Sequence, residues 1–130
     1  MAGYAVNIEK ETMANDYFRK VLFTAKHSQL VVMSLKAGEE IGMEVHPNLD
    51  QFIRIEEGKG KAILDGKTHA LKDDWAVVIP AGTKHNIVNT SKRKRMKLYT
   101  IYSPPQHPHG TIHKNKAEAD AAEAAEHGKH

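Results

Sequence analysis

The chain has 130 residues, a formal net charge of +3 and no cysteine. Its length predicts one small domain, and the lack of cysteine excludes thiolate metal ligands, disulfide bonds and a cysteine nucleophile. The sequence does not open with a basic segment followed by an apolar run, and no apolar run is long enough to cross a bilayer. We therefore expect a cytoplasmic protein without a membrane partner.

Short strand-like segments dominate the chain after a polar N-terminal arm. Residues 1–16 are weakly patterned, and we expect an extended arm or a short helix there. Over residues 17–102, short apolar or alternating runs separated by glycine and proline predict about nine or ten strands of a sandwich or barrel. Asp65-Gly66 predicts a tight hairpin turn, because this dipeptide accepts positive φ angles. The predicted strands are Tyr17–Ala25, Leu30–Leu35, Ile41–His46, Gln51–Glu56, Ala62–Leu64, Lys67–Leu71, Trp75–Ile79, His85–Asn89 and Met96–Tyr102.

A basic run, Lys92–Arg95, lies between the last two predicted strands. Such a run can bind phosphate backbones. No aromatic residue interleaves with it, as binding to a single nucleic-acid strand requires. A solvated hairpin tip has the same composition. We expect the hairpin tip and no nucleic-acid partner.

Residues 103–130 differ in composition from the strand-rich part. Ser103–Gly110 contains three prolines and a glycine, which excludes regular structure. Ala117–Glu126 has high helix propensity and predicts a short helix or a disordered tail. This region also carries a histidine cluster that suits either adventitious metal binding or a loop packed on the barrel wall or a subunit seam, and we expect the loop. The cluster consists of His107, His109 and His113.

Four polar side chains near predicted strand ends form a candidate metal site. Glu44 and His46 stand two apart in a strand-like run, so their side chains share a face. Gln51 and His85 each open a further run. Two imidazoles, a carboxylate and an amide oxygen suit one divalent transition metal: Mn, Fe, Ni, Co or Zn. Because a core-facing Glu44 is costly to bury without a cation, we expect all four residues to be ligands.

The first of these segments resembles the first motif of the cupin superfamily. That motif has a His-x-His pair, then an acidic residue, then a glycine. This chain has Glu44-x-His46, then Gln51, and Gly58 follows seven residues after Gln51. Glu44 therefore replaces the first histidine of the family pattern, and Gln51 replaces its usual glutamate.

The second segment resembles the second cupin motif, Pro-x-Gly-x-x-His-x-x-x-Asn. It matches in full as Pro80, Gly82, His85 and Asn89. Asp74 stands where a glycine normally opens this motif. The pattern of strands around the two motifs extends the resemblance over most of the strand-rich region.

The resemblance implies an all-β cupin jelly-roll β-barrel, or double-stranded β-helix, with a metal in its interior and a short C-terminal helix or tail. The ligand set is similar to that of sugar-isomerising cupins of the mannose-6-phosphate isomerase-like group. It implies an enzyme that catalyses metal-assisted isomerisation or a proton shift on a small sugar-like carbonyl substrate. Tyr99, Tyr102 and Lys84 are candidate acid–base residues by position alone.

Two other functions and the assembly state stay open at this point. Many small cupins are metal-dependent dioxygenases, and others bind a small ligand without catalysis. An open coordination position and a redox-active metal favour the dioxygenase, whereas a barrel mouth filled by side chains favours the binding module. Since small jelly rolls expose sheet edges that invite pairing, we expect a homodimer whose seam uses the strand around Phe18–Phe23.

Overall fold

The molecule consists mainly of two antiparallel β-sheets. The computed structural model describes residues 2–127. The larger sheet has the strand order β6-β3-β8-β2-β1-β9, and the smaller has the order β5-β4-β7. Within the described residues the elements are α1 Ile8–Ala14, β1 Arg19–Thr24, β2 Gln29–Leu35, β3 Asp50–Glu57, β4 Gly60–Leu64, β5 Lys67–Leu71, β6 Ala76–Ile79, β7 His85–Asn89, β8 Met96–Ser103, β9 Ile112–His113 and α2 Lys116–His127.

The two sheets share one apolar core, as the predicted jelly roll requires. Alternation along β3 produces it: Gln51, Ile53 and Ile55 are buried, while Phe52 and Arg54 between them are only partly covered. Burial of each large aliphatic side chain stabilises the fold by about 1.5–3 kcal/mol. The core draws on both sheets and includes Val31, Met33, Leu35, Ile53, Ile55, Ala62, Leu71, Ile87 and Leu98. The all-β class, with a short C-terminal helix, is confirmed.

The predicted Asp65-Gly66 hairpin is confirmed, and it also supports the site. Both residues have positive φ angles, 47° and 83°, and β4 and β5 pair up to Leu64 opposite Lys67. The backbone N–H of Asp65 donates to the carbonyl of Lys84 over 2.8 Å, and its carboxylate accepts the Lys84 N–H over 2.9 Å. The hairpin tip therefore holds the residue that precedes His85.

The prediction of a strand over Ile41–His46 is wrong. This segment makes only isolated bridges, Glu40 to Val88 and Glu44 to His85. Gly42 has φ 110°, a conformation that interrupts an extended strand. Its N–H donates to the side-chain carbonyl of Asn86 over 2.9 Å instead of to a neighbouring strand.

The basic run does not form the predicted hairpin tip. β7 pairs with β4 in the smaller sheet, whereas β8 pairs with β2 and β3 in the larger sheet, so the loop that contains Lys92–Arg95 crosses between sheets. Asn89 organises this crossing. Its side-chain N–H groups donate to the carbonyls of Leu35, Lys36 and Lys94 over 2.9–3.1 Å. The charged side chains of Lys92, Arg93 and Lys94 are exposed.

The C-terminal region folds back onto the larger sheet. β9 pairs with the start of β1, with Arg19 opposite His113 and Lys20 opposite Ile112. Helix α2 follows, and its Ala119 is buried in the core cluster. The side chain of Asn115 caps this helix by accepting the N–H of Glu118 over 2.9 Å. No helix in residues 2–127 has the length and apolar character to span a bilayer.

Candidate metal centre

The structure brings together three of the four predicted ligand side chains. One ligand atom each from Glu44, His46 and His85 lies within 4.8 Å of the others. Paired backbone bonds cause this proximity: the N–H of Glu44 donates to the carbonyl of His85 over 2.8 Å, and the reverse bond measures 2.9 Å. The isolated bridge between Glu44 and His85 therefore brings these side chains together. The predicted strand was expected to have this role.

The His85 imidazole is held with one nitrogen available for a ligand bond. The side chain is buried, and its Nδ1 lies 2.9 Å from the carbonyl oxygen of Thr83. A carbonyl only accepts, so Nδ1 carries the proton and Nε2 keeps its lone pair. A backbone carbonyl that fixes the tautomer in this way is the usual partner of a metal-ligating histidine.

Glu44 and His46 form a close pair. The carboxylate Oε2 is 2.9 Å from Nε2 of His46, and this buried Nε2 has no other hydrogen-bond partner within the described chain. Burial raises the pKa of Glu44, but His46, Arg19 and His85 outweigh it, and the pKa lies below its ordinary value.

Gln51, on the inner face of β3, contributes a side-chain oxygen that has no hydrogen-bond donor among the described residues. Its side chain is buried, and its Nε2 donates to the hydroxyl of Thr100 over 3.0 Å. Its Oε1 is buried without a hydrogen-bond donor among residues 2–127. An unsatisfied buried carbonyl costs about 1–3 kcal/mol, so an electrophile at this oxygen would remove a penalty.

The chemistry of these donors fits a divalent transition metal. Two imidazoles, one ionised carboxylate and one amide oxygen form a mixed nitrogen and oxygen set that such ions accept. The buried Oε1 of Gln51, which has no donor among the described residues, is the type of atom that a cation satisfies. The group of Glu44, His46 and His85 can therefore hold one ion, and its composition does not distinguish Mn, Fe, Ni, Co and Zn.

A polar cleft of about 320 Å³ opens next to these donors. Glu44 and His46 form one wall, and the C-terminal loop and helix α2 form the other. Buried Gln29 fixes that loop, because its Oε1 accepts the N–H of His107 over 3.0 Å and its Nε2 donates to the His107 carbonyl over 2.7 Å. The lining residues are Arg19, Met43, Glu44, Val45, His46, Gln106, His107, His113, Ala119, Ala122 and Glu123.

Arg19, His107 and His113 complete the polar lining of the cleft. The sequence predicted the two histidines on a loop packed on the barrel wall or a subunit seam, and this loop contacts Gln29 of β2, but neither histidine was predicted to line the site. Arg19 was not predicted as a site residue. It is 7% exposed, and its Nη1 lies 3.1 Å from Nδ1 of His113. One signal was available, because Arg19 is in phase with the inward-facing Val21 and not with Lys20.

Burial and nearby charges set the protonation states of two further groups at the cleft. Burial, together with the neighbouring Arg19, His113 and His46 side chains, lowers the pKa of His107 to about 3. Burial raises the pKa of Tyr102 to about 12. At neutral pH, His107 is therefore an uncharged imidazole and Tyr102 is a protonated phenol. The Tyr102 ring contacts both His46, at a centroid distance of 6.1 Å, and His107, at 5.2 Å.

The other positional candidates lie elsewhere. Tyr99 packs against Phe52 on the outer face of the larger sheet, with ring centroids 6.3 Å apart, and Lys84 is exposed. Of the predicted histidine cluster, His109 is also exposed and contacts the hydroxyl of Thr24 at 3.1 Å. Among the described residues, the cluster at 107, 109 and 113 is not a group with metal-ligand spacing.

The chain is similar in sequence and in structure to several known proteins. The chain is 50% identical over 126 residues to the Uncharacterized protein YrkC of Bacillus subtilis, an alignment that covers 92% of this chain and 67% of that protein. It superposes on the crystal structure of BH2720 from Bacillus halodurans with a TM-score of 0.90 and 49% identity, covering 92% of this chain and 95% of that one. Similarity also extends to the Quercetin 2,3-dioxygenase of Bacillus subtilis, at 30% identity over 84 residues, which is 65% of this chain and 25% of that protein.

The family itself follows from a match to a domain description. The cupin domain model matches residues 31–102, which is more than half of the chain and includes both motifs. The jelly-roll architecture and the paired motif histidines agree with that match. The chain belongs to the cupin family.

Proposed function

We propose that this protein binds one divalent transition metal through Glu44, His46, Gln51 and His85 and catalyses isomerisation or a related proton shift on a small sugar-like carbonyl compound. The observation that carries the proposal is the convergence of three donor side chains, two of which, Glu44 and His46, line a polar cleft. A metal bound there would polarise a carbonyl or hydroxyl oxygen and stabilise negative charge that develops on it.

The side chains of the cleft provide the remaining requirements of such a reaction. Ionised Glu44 offsets one positive charge of the ion. The Nε2 atom of His107 is buried and has no hydrogen-bond partner in the described part of the chain, so this uncharged imidazole can form a hydrogen bond with a substrate oxygen. The protonated phenol of Tyr102 is a donor that does not ionise at neutral pH, so it can orient a neighbouring oxygen or imidazole.

The size and polarity of the cleft favour this substrate class. A volume of about 320 Å³ suits a small metabolite. Most of its lining side chains are charged or polar, and the apolar contribution comes from two small alanines and from Met43 and Val45 at the rim. A polyoxygenated compound satisfies such a wall, whereas a large planar aromatic substrate would leave the polar groups without partners.

A metal-dependent dioxygenase is the second candidate. The similarity to Quercetin 2,3-dioxygenase supports it, although that alignment spans a quarter of the enzyme. The same donor set accepts iron or manganese, so the two candidates differ in substrate and in oxygen consumption. A cupin that binds a small ligand without catalysis would retain the metal and show neither activity.

The test is a paired assay on protein loaded separately with Mn²⁺, Fe²⁺, Co²⁺, Ni²⁺ or Zn²⁺. Small aldoses, ketoses and uronates are incubated in D₂O, and NMR measures deuterium incorporation next to the carbonyl carbon. An oxygen electrode measures uptake with the same compounds and with quercetin. We expect deuterium incorporation without oxygen uptake.

The controls separate the metal site from the fold. The double variant His46→Ala, His85→Ala should lose the metal and the exchange activity, whereas His69→Ala, on the exposed face of β5, should keep both. Oxygen uptake that matches substrate loss would replace the isomerase with the dioxygenase. Full metal occupancy in the double variant would show that the proposed ligands are wrong.

A further inference from the structure

A buried arginine lines the same cleft as the candidate metal centre. Arg19 begins β1 and is 7% exposed, so its guanidinium is largely removed from water. The Phe18 ring lies 5.3 Å from its Cζ atom. Arg19 also lines the cleft together with Glu44 and His46. A cation held in this position costs several kcal/mol of desolvation unless an opposite charge meets it.

The described side chains leave part of that guanidinium without a partner. Nη1 contacts Nδ1 of His113 at 3.1 Å, and the guanidinium also donates a hydrogen bond to the Tyr102 hydroxyl. Nε is buried without a hydrogen-bond acceptor in the described chain, and none of the carboxylates whose positions are described forms an ion pair with Arg19 within 4 Å. The Nε edge of a guanidinium is one of the two sides that bind a carboxylate with parallel N–H donors.

The charges around the cleft also favour an anion. The described residues that line the cleft include two carboxylates, Glu44 and Glu123. Glu44 and Arg19 offset each other, so a divalent ion would leave the site with a net charge near +2 before a substrate enters. An exposed Glu123 lies at the rim, where water screens it.

We propose that the cleft binds a small organic anion whose carboxylate is held by the guanidinium of Arg19, while a carbonyl or hydroxyl oxygen of the same molecule is directed to Glu44, His46 and His85. The second half of this assignment rests on the proposed metal site, and the first half does not. It narrows the substrate class from neutral sugars to 2-oxo or 2-hydroxy acids and sugar acids. Arg19 acts as a specificity-determining residue.

The test uses a matched pair of probes, pyruvate and hydroxyacetone, which differ by a carboxylate in place of a hydroxymethyl group. Each is titrated into the full-length protein, both metal-free and loaded with diamagnetic Zn²⁺. The readout is the ¹H–¹⁵N resonance of the arginine Nε groups. We expect pyruvate to shift the Arg19 signal saturably in both forms, more tightly with Zn²⁺, and hydroxyacetone to leave that signal in place.

Variants assign the effect to one side chain. Arg19→Gln should weaken pyruvate binding by about tenfold to a hundredfold, the range expected for a charged, two-pronged hydrogen bond, and should leave hydroxyacetone binding unchanged. Arg19→Lys keeps the charge without the fork and should show a smaller loss. Arg54→Gln, on the outer face of the sheet beside Asp74, is the matched control and should bind both probes as the wild type does.

The outcomes distinguish this proposal from the proposed function. If Zn²⁺ fails to bind but pyruvate shifts the Arg19 signal in the metal-free protein, the anion site is supported and the proposed metal site is wrong. If millimolar pyruvate shifts the Arg19 signal in neither the metal-free nor the Zn²⁺-loaded protein, the proposed anion site is wrong. Unchanged pyruvate affinity in folded Arg19→Gln also overturns it. If Arg19→Gln does not fold, as judged by circular dichroism, the wild-type resonance and Arg19→Lys decide the question.

Discussion

Replacing Gln51 with leucine separates the metal site from the fold, because metal affinity should fall while the stability of the metal-free protein changes little. The glutamine side chain is 4% exposed. Its Nε2 donates to Thr100, and its Oε1 has no donor in the part of the chain that the structure describes. Leucine fills a similar volume without either polar atom, so the substitution removes one unsatisfied acceptor but leaves the buried Thr100 hydroxyl without its donor.

The expected magnitudes follow from those two atoms. Removal of the unsatisfied buried oxygen stabilises the metal-free protein by about 1–3 kcal/mol, and leaving the buried Thr100 hydroxyl without its donor costs about 1–3 kcal/mol. The two effects nearly cancel, so we expect the Tm of the metal-free protein to change by no more than about 8 °C in either direction. The metal-loaded protein loses a ligand, and we expect its affinity to fall about tenfold or more, equivalent to at least about 1.4 kcal/mol.

Two measurements on the same preparations test this reasoning. Thermal unfolding of chelator-treated protein gives the stability, and titration of Zn²⁺ against a competing indicator gives the affinity. Gln51→Glu is the counterpart variant: its carboxylate should strengthen metal binding but destabilise the metal-free protein, because it buries an uncompensated charge. Unchanged metal affinity together with a lower Tm in Gln51→Leu would show that Gln51 has a structural role only.

Four further predictions concern the ligand set, acid stability, packing and assembly. Glu44→Ala should weaken metal binding at least about tenfold whereas Glu44→His should retain binding, and equal affinities in a metal titration would remove Glu44 from the site. A hydrogen bond and the positive charge of Lys97, whose Nζ lies 2.6 Å from Oδ1 of Asp16, lower the pKa of Asp16 from 3.8. The stability from this pair is therefore present above pH 3.8 and lost as the pH falls through the lowered value, so acid titrations of Asp16→Asn and wild type should converge at low pH, and a constant gap would contradict this. In Gly60→Ala the new Cβ would lie 2.2 Å from a backbone carbonyl oxygen of β7, so we expect a loss of about 2–3 kcal/mol in a denaturant titration, and wild-type stability would show that β4 can shift. We also propose a homodimer through the strand around Phe18–Phe23, and light scattering that gives a monomer mass at micromolar concentration would exclude it.

Some motif residues that the sequence analysis identified serve the fold and not the metal. Gly58 has φ 131°, and a Cβ at this position would lie 2.9 Å from the Cα of Met96. Asn89 binds three backbone carbonyls where the chain crosses between sheets. Sequence spacing reveals such positions reliably because each has a local steric or hydrogen-bonding requirement. Sequence spacing alone does not distinguish these structural residues from proposed metal ligands such as His85.

The parts of the structure that sequence missed depend on contacts between distant segments. Alternation predicted β3 correctly because Ile53 and Ile55 need only the nearest core. The same reasoning failed for Ile41–His46, where Gly42 interrupts the strand and the alignment depends on single bridges to β7. His107 reaches the cleft through its hydrogen bonds to Gln29, and no pattern in either segment indicates that they meet.

The departure of the first motif from its family pattern and the buried arginine are consistent with one electrostatic arrangement. Glu44 brings a negative charge to a position where the family pattern has a neutral imidazole. Arg19 brings a positive charge into the same cleft, and it helps to lower the pKa of Glu44. Together the two side chains contribute no net charge, so the centre keeps the full charge of a bound divalent ion, as a site with only neutral ligands would. The two sites would differ in where the charge lies, because part of the positive charge now sits on the Arg19 guanidinium in the cleft lining. A molecule with two oxygen-bearing ends, one of them a carboxylate, matches that distribution better than a neutral sugar does.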